Sequence, residues 1–299
     1  MLMKKKIQVF GLGQCCLDYI GKIEAYPPED SKCEFSNLKI QGGGPVANAL
    51  VALSRWGISC SFCGVVGDDA FGAQIKDSLD GEGVHTKNLL VRKGFDSQFA
   101  FIVAGGDNGK RTIFWRRPTG APPQPQEIDT DLLKDVSIFH TDGLFMEASL
   151  VAVKFAESRG IPVSVDAGTL RDGMLELAER SDFFITSTKF ARQLVGKDDP
   201  EKACLKLVEM GPKVIGITLG SEGYVVFFDG KIIRRPAYKV KAIDTTGCGD
   251  VFHAGFIYGT LQRWPAEKCF DFAAWAAAQV GTRLGGRDGI PAVADWEKV

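Results

Sequence analysis

Net charge is almost absent: 36 basic residues stand against 37 acidic ones, a formal −1 over 299 residues. So even a balance gives no global field toward nucleic acid or an anionic membrane, and any anion the protein binds must be held locally. Long apolar runs are missing too. No stretch approaches the roughly 18 residues a membrane span needs, and in MLMKKKIQVFGLGQ the apolar run is broken by Gln8 and ended by Gly11 and Gly13, too short for a signal peptide or anchor. The eight cysteines have no dense regular spacing and make no disulfide framework. Cys60 and Cys63 form a lone CxxC within the strand-like SCSFCGVVG, with no second pair and no His pair beside it, which argues against zinc or redox work. These absences point to a cytoplasmic globular protein without a nucleic-acid or membrane partner. Proline is sparse at 13 and no G-X-Y period runs through the chain, so its 35 glycines signal neither collagen nor disorder.

Short apolar runs alternate with helical patterns, which predicts an α/β fold with a mostly parallel sheet covered by helices on both faces. The expected strands are 7–13, 60–66, 136–141, 162–167, 182–187, 213–220 and 224–228. The expected helices are 46–57, 148–159, 188–195, 200–210, 249–263 and an alanine-rich 266–282. Two stretches, 18–41 and 97–117, break the rhythm with strand-like alternation, the second a hairpin around GGDNG. They are assigned to a small β-sheet projecting from a single domain as a lid, with PTGAPPQP at 118–125 returning the chain to the body.

Three glycine-rich segments carry chemistry. GLGQCC at 11–16 offers only part of a dinucleotide fingerprint, because Cys16 holds the place of the third glycine. GGGPVANA at 42–49 lacks the Lys-Ser/Thr pair of a P-loop; its glycines let a small polar ligand approach the main chain while Asn48 hydrogen-bonds it, the plainer alternative being tight packing at a helix start. In AIDTTGCGDVFHAGF at 242–256, a strand-like approach ends at Asp244 and TTGCG opens a helix. Gly247, Cys248 and Gly249 would present unpaired amides at its N-terminus, a local anion site. Asp250, in the first turn, is placed to accept a proton from a hydroxyl attacking a bound phosphate, whereas a plain helix cap would not explain the small residues before it.

DTTGCGD resembles the DTxGAGD signature of PfkB or ribokinase-like carbohydrate kinases, and GGGPVANA is similar to their N-terminal GG-x-x-x-N element; the two stand about 200 residues apart in the family's order. The resemblance extends over the chain through Asp18 at the end of the first strand, the lid hairpin and ITLGSEG at 217–223. CLDYI, YPPEDS, GKRTI and GGRDGI look most like ketohexokinases, and DTTGCGDVFH with TRLGGRDGIP looks equally like sulfofructose kinases. It implies the ribokinase-like fold and transfer of phosphate from ATP, with Mg²⁺, to a sugar hydroxyl, a monovalent cation being left open. It further implies Asp250 as base and Gly247, Cys248 and Gly249 as anion hole. Asp18, Gly43, Gly44 and Asn48 fall at sugar-binding positions, with Arg111 a lid arginine facing the site. Thr218, Gly220 and Gly223, with Ala278 and Gly281 in the adenine-side segment 278–286, fall at nucleotide positions.

Three positions depart from the pattern. Ser187-Thr188-Lys189-Phe190 replaces an N-x-x-E motif that helps order Mg²⁺, Pro45 stands where ketohexokinases have asparagine, and Cys248 replaces alanine. A thiol at a helix N-terminus tends to a lowered pKa, which would make Cys248 oxidation-sensitive unless it merely fills an alanine's space. Arg116 and Arg117 are either solvated or turned inward toward an anionic substrate group. His253 is read as packing, and Asp142 and Asp166 as supporting residues at strand ends. A nucleoside kinase of the same fold and a non-catalytic nucleotide or sugar sensor stay open. The exposed edges of a projecting sheet suggest a homodimer pairing lid to lid.

Overall fold

The computed structural model describes residues 6–105, 111–296 and 298. In chain order its strands and helices are β1 (Val9–Leu12), β2 (Cys16–Ile23), β3 (Ser36–Gly43), α1 (Pro45–Arg55), β4 (Cys60–Gly67), α2 (Ala70–Gly81), β5 (His85–Arg92), β6 (Phe99–Gly105), β7 (Arg111–Arg116), α3 (Thr130–Leu133), β8 (Ile138–Thr141) and α4 (Met146–Ser158). There follow β9 (Val163–Ala167), α5 (Met174–Glu179), β10 (Phe183–Ser187), α6 (Thr188–Val195), α7 (Pro200–Val208), β11 (Val214–Thr218), β12 (Tyr224–Phe228), β13 (Lys231–Arg235), α8 (Cys248–Leu261), α9 (Ala266–Val280) and α10 (Val293–Trp296).

Nine strands form one sheet in the order β13-β12-β11-β10-β9-β8-β1-β4-β5. It is parallel from β11 to β5, and β12 runs antiparallel to both its neighbours. Successive side chains of a strand enter opposite layers, and β1 shows it: Val9 packs with Leu50, Phe62 and Phe272 on one face, Phe10 with Phe139, Val153 and Phe184 on the other. The second sheet, β3-β2-β6-β7, has antiparallel outer pairs and a parallel central pair. From residue 106 on, the GGDNG turn expected to join β6 and β7 lies outside the described residues.

The expected strands and helices all appear, most with shorter ends. One strand-like reading fails: residues 236–247, the approach to TTGCG, lie outside any strand. Periodicity also missed α2, β5 and β13. The first has a polar face and needs the Asp69 side chain, accepting from Gly72 N at 2.8 Å, to start it. The other two are edge strands whose polar residues interrupt the apolar pattern. Pro45 is the first residue of α1, where a missing N–H costs nothing.

The central helix α8 is buried on nearly every side from Val251 to Gly259. It reaches α9 through Gly255 and Gly259, one turn apart. A Cβ at Gly255 would stand 2.6 Å from Ala273 Cα, and one at Gly259 would stand 2.7 Å from Cys269 Sγ. Because α8 carries Asp250 at its first turn, this packing sets how far the helix N-terminus projects. Gly255→Val should therefore destabilise the protein by about 2 kcal/mol or more through overpacking. Differential scanning calorimetry should show a Tm lower by roughly 3 °C or more.

Candidate active site

A cavity of about 260 Å³ opens between the two sheets, lined by Asp18, Asn48, Ala100, Arg111, Thr246, Gly247 and Asp250 among others. Strand register explains which residues reach it. Gln41, Asp18, Ala100 and Trp115 form one row across the small sheet, of which the last three line the cavity, and none of the next row, Ile40, Tyr19, Phe101 and Phe114, lines it. Asp18 lies within β2 rather than at the end of the first strand. Its carboxylate rests on the main chain of Gly43, where a Cβ would come within 2.0 Å of Oδ2. Gly44, at φ 108°, caps α1, and Asn48 N–H makes an early bond of that helix to Gly44 O at 2.9 Å.

The TTGCG turn is built by a side chain that sequence reading treated only as a strand end. Asp244 is fully buried; its Oδ1 accepts from Thr246 N at 2.9 Å and Thr246 Oγ1 at 2.7 Å, and its Oδ2 from Gly285 N at 2.9 Å. An aspartate bonding main chain two residues on is the usual device for such a turn. Gly247 then takes φ 78° as N-cap of α8, so close to Gly286 that a Cβ would stand 2.5 Å from its Cα. One of the three expected free amides is taken up: Cys248 N–H points to Thr245 O at 3.4 Å, while further along Val251 N–H bonds Gly247 O at 2.9 Å. Among the described residues the amides of Gly247, Gly249 and Asp250 remain open donors at this helix start, where the helix dipole is positive.

Asp250 Oδ2 accepts from Asn48 Nδ2 at 2.7 Å. Asn48 thus does not simply present its amide to a ligand, because Arg287 Nε donates to its Oδ1 at 2.8 Å. Burial, then repulsion from Asp166, pushes the Asp250 carboxyl up to about 7, against the Asn48 bond that lowers it. Asp166 moves the other way: its burial is outweighed by His253 and His140, so it stays below the usual carboxylate range. His253 is accordingly more than packing, its Nε2 lying 3.2 Å from Asp166 Oδ1. Burial holds His140 down at about 4 and neutral. Asp142 braces the loop after β1 and its own turn, accepting from Gln14 N and Leu144 N at 2.9 Å each, and burial raises it to about 7. Asp18 is raised by burial, with the Cys16 thiol at 2.9 Å and then Arg287 and Arg111 opposing.

Cys248 corrects an expectation. Burial pushes its thiol up to about 12, and Asp244 and Asp250 add to that against Arg111, so the helix terminus does not make it a ready thiolate. Arg111 crosses from the small sheet to the turn, Nη1 donating to Thr245 Oγ1 at 2.7 Å. Arg116 turns outward to Asp96 at 2.8 Å, whereas Arg117 lines the cavity with its guanidinium 4.7 Å from the Trp115 ring centre. Ser187 caps α6, accepting from Phe190 N at 3.3 Å, which is the structural part played by residues standing in place of N-x-x-E.

Thr218, Gly220, Gly223, Ala278 and Gly281 do not line this cavity. Thr218 ends β11, its carbonyl accepting from Thr188 Oγ1 at 2.9 Å, and Gly220 opens a short 3₁₀ turn closed by Gly223 at φ 104°. Ala278 lies in the last turn of α9 and Gly281 caps it; the Gly281 carbonyl takes Ile243 N–H at 2.7 Å, which ties this segment to the TTGCG turn. Sequence reading missed Gln14, Gln98 and Arg287. Gln14 and Gln98 bond each other at the cavity wall, and the signal for all three was a polar residue beside glycine or inside an apolar arm.

The family model for pfkB family carbohydrate kinases matches residues 6–293. A 2-dehydro-3-deoxygluconokinase of Thermoproteus tenax is 28% identical over 276 residues, covering 86% of this chain and 84% of its own. Fructokinase-2 of Oryza sativa subsp. japonica is 28% identical over 265 residues, covering 82% and 77%. The crystal structure of a putative ribokinase from Agrobacterium tumefaciens superposes with a TM-score of 0.90 at 23% identity, covering 98% of this chain and 97% of that one, which establishes the ribokinase-like fold.

A carboxyl held near 7 in the native state and near 3.8 when unfolded binds a proton that the unfolded chain has released between those values, so native stability falls as pH rises through that window. Asp250→Asn removes this share. Its Tm gain over wild type should be larger at pH 8 than at pH 4.5; an equal difference at both would contradict the raised carboxyl.

Proposed function

The chain belongs to the pfkB family of carbohydrate kinases, and from that premise and the cavity's geometry we propose that it transfers the γ-phosphate of ATP to a hydroxyl of a ketohexose or related small sugar. The observation that carries this is the position of Asp250, on the cavity wall between Asp18 and the open N-terminus of α8, with its carboxyl raised to about 7. Its Oδ2 is occupied by Asn48, which leaves Oδ1 to take the proton of the acceptor hydroxyl. The Gly247–Gly249 backbone forms the anion hole for the transferring group, chiefly through the Gly249 and Asp250 amides. Asp18, with the main chain at Gly43 and Gly44, binds sugar hydroxyls, and Asn48 supports both sugar and base. Thr218, Gly220, Gly223, Ala278 and Gly281 border the nucleotide. Among the described residues no group of three or more His, Cys, Asp or Glu could hold a metal ion. When bound with the nucleotide, Mg²⁺ would offset the charge of its phosphates, and the steps above use the chain's own residues.

The small sheet acts as the lid, excluding water that would compete as acceptor. Its outward row exposes Ile40, Phe101 and Phe114 at 50%, 43% and 58%, which supports a homodimer through the lid; a solution mass of one 32.4 kDa chain would refute it. Arg117 gives the acceptor reading a finer form. Arg111 and Arg117 both line the cavity, and Arg171 lies close enough for Arg117 to oppose its charge. Two arginines on the cavity wall favour an acceptor with an anionic group. The Thermoproteus tenax relative is itself named for a sugar acid.

The test is an ADP-release screen with Mg²⁺, with and without K⁺, across ketohexoses, pentoses, nucleosides and anionic 6-substituted sugars. A sugar should be preferred, and an anionic one should lose its advantage over the neutral ketose in Arg117→Ala. Nucleoside preference, or ATP binding without turnover of any acceptor, would overturn the proposal. Asp250→Asn should lower kcat by roughly 10²-fold or more at unchanged KM for ATP. Wild-type kcat/KM should fall as pH drops below about 7, where the base becomes protonated.

A further inference from the structure

Arg287 lies behind the cavity at 1% exposure, in the glycine-flanked segment after α9. Among the described residues no carboxylate stands within ion-pair distance of it. Its Nε donates to Asn48 Oδ1 at 2.8 Å and its Nη1 to Ser78 Oγ at 2.8 Å, while its carbonyl accepts from Arg55 Nη1 at 2.6 Å. Burying a guanidinium on neutral partners is expensive, and an apolar side chain of similar volume would commonly be as stable or more so. Stability therefore does not account for it. Room has also been made for it, because a Cβ at Gly42 would stand 2.9 Å from both Nη atoms.

The bonding pattern suggests what it does. A guanidinium only donates and a carboxylate only accepts, so an asparagine between them has one consistent orientation: oxygen to Arg287, nitrogen to Asp250. Without Arg287 the amide is free to rotate away from Asp250 or to turn its oxygen toward the carboxylate. The two preceding residues join the same structure: Gly285 N–H bonds Asp244 Oδ2 at 2.9 Å, and Gly286 packs on Gly247. Three consecutive residues thus touch the aspartate that builds the anion-hole turn, the cap of α8 and the amide that holds the base.

We propose that Arg287 is a positioning residue for phosphoryl transfer, acting through Asn48 to keep Nδ2 on Asp250 Oδ2 and so direct Oδ1 at the acceptor hydroxyl. The proposal rests on Asp250 being the base.

A double-mutant cycle of Arg287→Met and Asn48→Ala tests it. Arg287→Met should lower kcat by roughly 10- to 100-fold, the range for a misplaced reacting group, with KM for ATP unchanged. The double variant should be no slower than Asn48→Ala alone, because the path through Asn48 is already lost. Losses that multiply would overturn the proposal. Arg287→Lys keeps the charge but lacks the fork that spans Asn48 and Ser78, so its kcat should match that of Arg287→Met; a wild-type kcat would show that charge suffices and would also overturn it. Should Arg287→Met not fold, the lysine variant enters the same cycle. Asp250→Asn, assayed alongside, separates the two ideas. An active Asp250→Asn refutes the base and Arg287's role with it, whereas an inactive one beside multiplying losses refutes Arg287 alone.

Discussion

The hydrogen bond from Asn48 Nδ2 to Asp250 Oδ2 joins α1 to α8 across 202 residues, and the surrounding architecture keeps those two helix starts together. Each helix begins at a glycine with positive φ, Gly44 and Gly247, so each chain reversal brings a bare helix terminus toward the same cavity. The parallel sheet directs its loops to one end, where a ligand crevice is expected in this class of fold. Gly255 and Gly259 then seat α8 against α9, and α9 leads into the segment that returns Gly286 to Gly247 and Arg287 to Asn48.

The electrostatics follow from where burial is compensated and where it is not. Asp166 has His253 beside it and stays ionised; at Asp250 burial and the charge of Asp166 outweigh the Asn48 amide and the more weakly felt His253 and Arg111, so its carboxyl is pushed up. Two carboxylates of equal intrinsic strength are thereby set apart, one as a fixed charge and one as a group that exchanges a proton near neutrality. Cys248 lies within this field, and it follows the carboxylates and burial rather than the helix dipole.

Strand alternation gives the small sheet two different faces. Asp18, Ala100 and Trp115 face the cavity while Tyr19, Phe101 and Phe114 face outward, so a one-residue slip in β2, β6 or β7 would take Asp18 out of the cavity or turn exposed aromatic rings into it. Arg111 joins that sheet to the TTGCG turn through Thr245.

Much of this was legible in the order of residues. Alternating apolar runs and helical periods specify a doubly covered parallel sheet because each period allows only one buried face, and TTGCGD specifies a helix start with open amides because glycine and small residues leave nothing else there. Local chemistry of that kind needs only neighbours in sequence. The partners of Asp250, the sense in which His253 and Asp166 shift it, and the burial that overrides the helix dipole at Cys248 all come from residues tens to hundreds of positions away. Helix α2 was not visible as a period, yet its Ser78 holds the guanidinium that orients Asn48. Charge, pKa and amide orientation depend on distance in space, so only the folded chain decided which of the conspicuous residues touch and which way each one points.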